Sequence, residues 1–314
     1  MSWLFLIEGL LTILFFKGMI PLFRSRGIVQ YVREEGPQLH NYKQGTPTAG
    51  GVLFLLVFLA FYVGFQFFSP SPLFVPVVLA TLFFGGIGLL DDALSIRQKN
   101  SHGLSARSKF LLQLAASLVL FFVIQGHEVQ SPIMLFSSSF ELHLGWVYPL
   151  FFVLYLTGFS NATNLTDGLD GLSGGTALIS ALGAQLLMIL LGVSDYSMLF
   201  LAGALLGFLW FNVKPASIFM GDAGALALGG VIGTVALCTR SAIFFVFLSL
   251  VFWIEVLSVV LQVSSFKIFH RKIFRMSPIH HHFELLGWRE SQIVIRFWIA
   301  NFLGVVLSLA LVLV

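Results

Sequence analysis

Charge is what this chain has least of. Only 10% of its 314 residues are Asp, Glu, Lys or Arg, while 58% are hydrophobic; a soluble globular domain is about a quarter charged. That scarcity excludes an ordinary soluble domain, and no nucleic-acid partner is expected. A single cysteine, Cys238, excludes a disulfide framework and any cysteine-based metal cluster, and it reads as a small apolar residue in a helix. No lysine or arginine precedes Lys17 and no small-residue cleavage site follows, so the N-terminus reads as a first membrane helix and not as a cleaved signal peptide.

What is present is apolar sequence in long stretches, including 35 phenylalanines. A spanning helix needs about 20 mainly apolar residues. The hydropathy predicts ten spans, roughly 3–21, 49–68, 72–90, 108–125, 146–163, 174–192, 197–213, 224–239, 241–266 and 293–313. The expected fold is therefore an all-α integral membrane protein, one polytopic domain over 1–314. Ser69-Pro70-Ser71-Pro72 predicts a tight turn, Arg240-Ser241 is the weakest break, and 129–144 suggests a short surface hairpin.

Numbering the loops alternately puts every lysine and arginine except Arg240 in or beside an odd loop. The positive-inside rule then makes the odd loops cytoplasmic and both termini extracytoplasmic. The same numbering places four polar islands on the cytoplasmic face: Asp91-Asp92, Asn161 to Gly171, Asn212 to Gly224, and Ser277 to Glu284. Ionisable groups at the edge of a membrane are expensive, and by default they mark function.

Each island has a plain alternative. Asp91 and Asp92 repel one another beside an apolar helix unless a cation or basic neighbour relieves them; otherwise they are an exposed helix end. Asn161, Asn164 and Asp167 are three apart, so a helix puts them on one face, where carboxylates and amides suit magnesium or a substrate's hydroxyls. The same stretch reads alternatively as a capping turn. Asp222 is either functional or an N-cap, and Phe219 is placed to stack on a base. Consecutive histidines, His280, His281 and His282, diverge too much to supply three zinc ligands; contact of one or two with phosphate or substrate fits better. The nearby Lys267, Arg271, Lys272 and Arg275 alternatively meet anionic lipid headgroups. Glu255 lies inside the ninth span and predicts a partner across the bundle.

Taken together, Lys43-Gln44-Gly45-Thr46-Pro47-Thr48-Ala49-Gly50-Gly51, Asp91-Asp92, Gly103 to Lys109, Asn161 to Gly171, Phe219-Met220-Gly221-Asp222 and Pro278 to Glu284 resemble the phospho-N-acetylmuramoyl-pentapeptide transferase family, over nearly the whole chain. The resemblance implies a magnesium-dependent enzyme of peptidoglycan synthesis, a homodimer in the bacterial cytoplasmic membrane. It implies transfer of phospho-N-acetylmuramoyl-pentapeptide from UDP-N-acetylmuramoyl-pentapeptide to undecaprenyl phosphate, giving lipid I and UMP. On that reading Asp91, Asp92, Asp222 and His280 are catalytic, and Asp222 and Asp92 hold the metal. Lys43, Thr48, Lys109, Asn161, Asn164, Asp167, Gly168, Leu169, Asp170, Asn212, Phe219, His281 and His282 bind substrate. One departure stands out: the family usually shows Tyr-x-Lys after the aspartates, whereas Ala93-Leu94-Ser95 follow here, which directs attention to Arg97 or Lys99. The competing class is an ion-coupled transporter, which also carries polar islands in broken helices.

Overall fold

The computed structural model describes residues 2–30, 45–99, 103–125, 133–134 and 141–313. It is mostly helical. The helices are α1 (Ser2–Ser25), α2 (Gly50–Gln66), α3 (Phe74–Gln98), α4 (Ala106–Gln125), α5 (Tyr148–Thr166), α6 (Leu172–Leu190), α7 (Ser197–Asn212), α8 (Gly221–Cys238), α9 (Ala242–Leu248), α10 (Leu250–Phe269), α11 (Ile279–Glu284) and α12 (Glu290–Val312). Seven of them (α1, α3, α4, α6, α8, α10 and α12) are long and apolar enough to cross a membrane, and α2 and α7 are shorter apolar helices. The chain is a multi-pass membrane protein. Nine of the ten expected apolar ranges each fall largely on one helix, and the ninth is divided between α9 and α10. Within 129–144, Ile133–Met134 (β1) and Glu141–Leu142 (β2) pair antiparallel, and the rest of that expected hairpin falls partly outside the described residues.

Helix α8 forms the centre, with α3 and α5 packed along it. Its sequence, Gly-Asp-Ala-Gly-Ala-Leu-Ala-Leu-Gly-Gly onward, is built of small residues. Lipid gives membrane helices little hydrophobic drive to associate, so close backbone approach through such residues is what holds them. Helix α1 lies on α7, and α12 on α6 and α9.

The expected ninth span is not one helix. It breaks at Ser249 between α9 and α10, a break with no proline or glycine to announce it. A broken helix at membrane depth must have its freed backbone groups satisfied by protein. Asn301 of α12 does this: its Oδ1 accepts the Val251 N–H at 3.2 Å and its Nδ2 donates to the Leu248 carbonyl at 3.2 Å. Ser180 adds a hydroxyl to the same carbonyl at 2.9 Å. The α10 segment then runs on to Phe269, carrying Glu255.

Candidate active site

The acidic islands meet where α3 reaches the start of α8. Both oxygens of Asp92 accept backbone N–H groups there, from Asp222 at 2.9 Å and Ala223 at 3.0 Å. A carboxylate at a helix N-terminus satisfies donors that have no partner in the helix and meets the positive end of its dipole. Asp92 thus anchors α8 and fixes where Asp222 points. The close approach depends on Gly88, one turn earlier in α3. A Cβ there would run into the backbone of Asp222 and Ala223.

Asp222 and Asp91 share one cation. The Lys109 ammonium, carried by α4, pairs with Asp222 Oδ2 and lies 3.1 Å from Asp91 Oδ1. The Leu104 N–H donates to the same Asp91 oxygen at 2.8 Å, and Asn164 Nδ2 donates to Asp222 Oδ1 at 2.9 Å. So the basic neighbour that the aspartate pair demands comes from the next helix. Arg97 and Lys99, at the end of α3, are exposed. Asn161, one turn before Asn164, donates instead to Gln113 Oε1 at 2.6 Å and to the Thr157 carbonyl at 2.8 Å.

A second set of bonds holds the loop between α5 and α6 to the loop between α7 and α8. Asp170 Oδ2 accepts the Ala216 N–H at 3.1 Å. Asn212 Oδ1 accepts the Gly171 N–H at 3.1 Å and its Nδ2 donates to the Ile218 carbonyl at 3.0 Å. Leu169 is buried with Leu172, Ile293 and Val294. Phe219 is half-buried, its backbone tied to the turn before α2 through Pro47 and Gly50. Thr48, in that turn, is buried. Lys43 lies outside the described residues.

The histidines separate as expected of neighbours in sequence. His280 is fully buried, with Nδ1 3.1 Å from Glu255 Oε1; this is the partner that Glu255 required. His281 Nδ1 lies 2.6 Å from Glu284 Oε2. His282 Nδ1 accepts the Arg275 N–H at 3.1 Å. Asp167 and Gly168 sit at the end of α5, and Gly168 faces the ring of His280.

One residue escaped the sequence reading. Glu290, buried at the start of α12, accepts the Asp170 N–H on Oε1 at 2.8 Å and pairs with Lys214 Nζ on Oε2 at 2.5 Å. In sequence it is an acid in the first turn of a helix, an ordinary arrangement that carries no further signal. If it holds the Asp170 loop, Glu290→Gln will weaken binding of a ligand in that loop by about 5- to 20-fold, the scale of one charge-assisted hydrogen bond. Titration of the purified variant checks this; wild-type affinity removes the role.

Among the described residues no group of three or more His, Cys, Asp or Glu is gathered as a metal cage. Magnesium seldom uses one. It takes one or two carboxylates, keeps several waters and relies on substrate phosphates. Asp222 and Asp91, two hard oxygen donors drawn to a single positive charge, fit that requirement.

Residues 74–240 match the family model for glycosyl transferase family 4. The chain is similar to the phospho-N-acetylmuramoyl-pentapeptide-transferase of Petrotoga mobilis, 44% identical over 304 residues covering 96% of each chain. It is similar to that of Thermotoga maritima, 45% identical over 300 residues and 96% of each chain. The Bacillus licheniformis protein of the same name is 42% identical over 311 residues, 97% of this chain and 94% of its own.

Proposed function

Because this chain belongs to glycosyl transferase family 4 and to the phospho-N-acetylmuramoyl-pentapeptide transferases, we propose that it transfers phospho-N-acetylmuramoyl-pentapeptide from UDP-N-acetylmuramoyl-pentapeptide to undecaprenyl phosphate, releasing UMP and forming lipid I. The observation that carries this reading is the convergence of Asp91, Asp222, Lys109 and Asn164 beside the α8 N-terminus. That arrangement can hold a cation and phosphates together.

The reaction joins two anionic partners, so catalysis must align them and neutralise charge. An oxygen of the acceptor phosphate attacks the phosphorus bonded to the sugar, and the pyrophosphate bond to UMP breaks. Magnesium, when bound, supplies charge neutralisation on the pyrophosphate; Asp222 is its protein ligand, with Asp91 beside it. Asp92 was expected as a second ligand. With both oxygens on backbone N–H groups, we assign it to holding Asp222 in place. Lys109 is released to phosphate oxygens as substrate enters. An acceptor phosphate with a second pKa of about 6 is already mostly dianionic at neutral pH, so Asp91 serves to orient it, and direct attack needs no covalent phospho-aspartate. Asp170, Asn212 and Phe219 serve the uridine side, and the resemblance assigns His281, His282 and Lys43 to substrate binding.

The distribution of lysine and arginine supports ten spans, with this site cytoplasmic and both termini outside. The resemblance carries the homodimer and the placement in the bacterial cytoplasmic membrane.

Purified protein incubated with UDP-N-acetylmuramoyl-pentapeptide, magnesium and undecaprenyl phosphate will form a lipid-linked product and one UMP per turnover, each component being required. Absence of any lipid-linked product overturns the reading. Stoichiometric UMP release without lipid phosphate replaces direct attack by the covalent route.

A further inference from the structure

Glu255 and His280 come from segments 25 residues apart and meet with neither side chain exposed. The contact uses one atom of each. Glu255 Oε2 and His280 Nε2 are both buried without a hydrogen-bond partner. A buried polar atom left without a partner costs about 1–3 kcal/mol, and each one in a folded protein calls for an explanation. Here the two orphans lie on a single carboxylate–imidazole pair. The ring edge bearing Nε2 occupies the space that a Cβ on Gly168 would need, and Gly168 belongs to the loop that follows Asn164, the partner of Asp222. His281 packs over the His280 ring, centroids 4.1 Å apart.

With Glu255 Oε1 as the acceptor, Nδ1 carries the ring proton and Nε2 keeps its lone pair. The partner of one ring nitrogen decides what the other offers. We propose that Glu255 is a positioning residue that holds His280 Nδ1–H and thereby presents Nε2 at Gly168 as an acceptor for a hydroxyl or amide N–H of the donor substrate, which supplies the partner Nε2 lacks. This rests on the transferase reading above.

The test compares Glu255→Met, which removes the acceptor, with Glu255→Gln, which keeps one. Misdirecting a catalytic imidazole costs orders of magnitude in turnover. Glu255→Met is expected to lower kcat roughly 100-fold with KM for the UDP substrate changed less than about threefold. Glu255→Gln should recover kcat to within about tenfold of the parent. In a His280→Asn background either change should add less than about threefold, because Glu255 acts only through that ring. If the Met variant does not survive purification, the Gln single and double variants decide the matter by the same criterion. Parent-level kcat in Glu255→Met, a Gln variant as slow as Met, or effects that multiply with His280→Asn overturns the proposal. Failure of the parent protein to transfer at all overturns the transferase reading instead.

Discussion

Asp222→Asn will lower turnover by about 1,000-fold or more while leaving the protein folded. The loss follows from the two bonds its oxygens make. One oxygen pairs with Lys109 and the other accepts from Asn164, so the carboxylate is the point at which positive charge is gathered. An amide of the same size turns a donor toward one of those donors and carries no charge to attract a divalent cation. Electrostatic stabilisation aimed at a developing phosphoryl charge is commonly worth 100- to 1,000-fold per group, and on the proposed reading the share of a metal held by Asp222 would be lost with it. The fold should be spared, because the α8 N-terminus is held by Asp92 through backbone N–H groups that the substitution leaves in place. Magnesium titration of turnover, with thermal unfolding of the same sample, separates the two effects. An unchanged magnesium requirement in the Asn variant would remove Asp222 as a metal ligand.

Gly88→Ala is expected to lower activity roughly 100-fold, the cost of moving a reacting group by about 1 Å, and to destabilise the protein by about 1–3 kcal/mol, the usual cost of forcing extra volume into a packed contact. The added methyl group meets backbone atoms of Asp222 and Ala223. Backbone cannot swing aside as a side chain can, so α3 must draw back from α8. That motion pulls Asp92 from its two N–H donors and separates Asp91 from Asp222. Gly86→Ala is the matched control. It makes the same change in the same helix, where a Cβ meets nothing within 4 Å, and should keep parental activity and thermal stability. Equal behaviour of the two variants would show that the α3–α8 approach does not place the acids.

Much of the architecture was legible in the sequence because hydropathy is a local property. Nineteen or twenty apolar residues in a row announce a helix whatever surrounds them, and the expected ranges fall on helices. The limits of that signal appear at Ser249. Leu248 and Leu250 flank it in an unbroken apolar stretch, so the break is invisible until Asn301 is found satisfying the freed backbone from another helix. The Gly85-Gly86 and Gly88 cluster also looked uniform in sequence, yet only the last of these faces backbone closely enough to decide helix spacing.

The candidate site divides along the same line. The scarcity and placement of charge singled out Asp91, Asp92, Asp222 and His280 as residues of interest. Their motif pattern carried the family, because each signal is a contiguous run of residues. What the sequence could not assign was the partner of each group. Asp92 and Asp222 read alike as acids at helix ends, and only folding sets one on the α8 N–H groups and the other, half-buried, on Lys109 and Asn164. Arg97 and Lys99 are the nearest cations in sequence to the aspartate pair, but Lys109 reaches it from the next helix. Glu255 announced a need for a partner without naming His280, and Glu290 announced nothing. The sequence alone determined the membrane class, the helix positions and the family, because these rest on local composition and contiguous motifs. Only the tertiary structure decided which carboxylate takes the α8 N–H groups, which ones share Lys109 and which one meets His280, because a side chain's partners come from segments far apart in the chain.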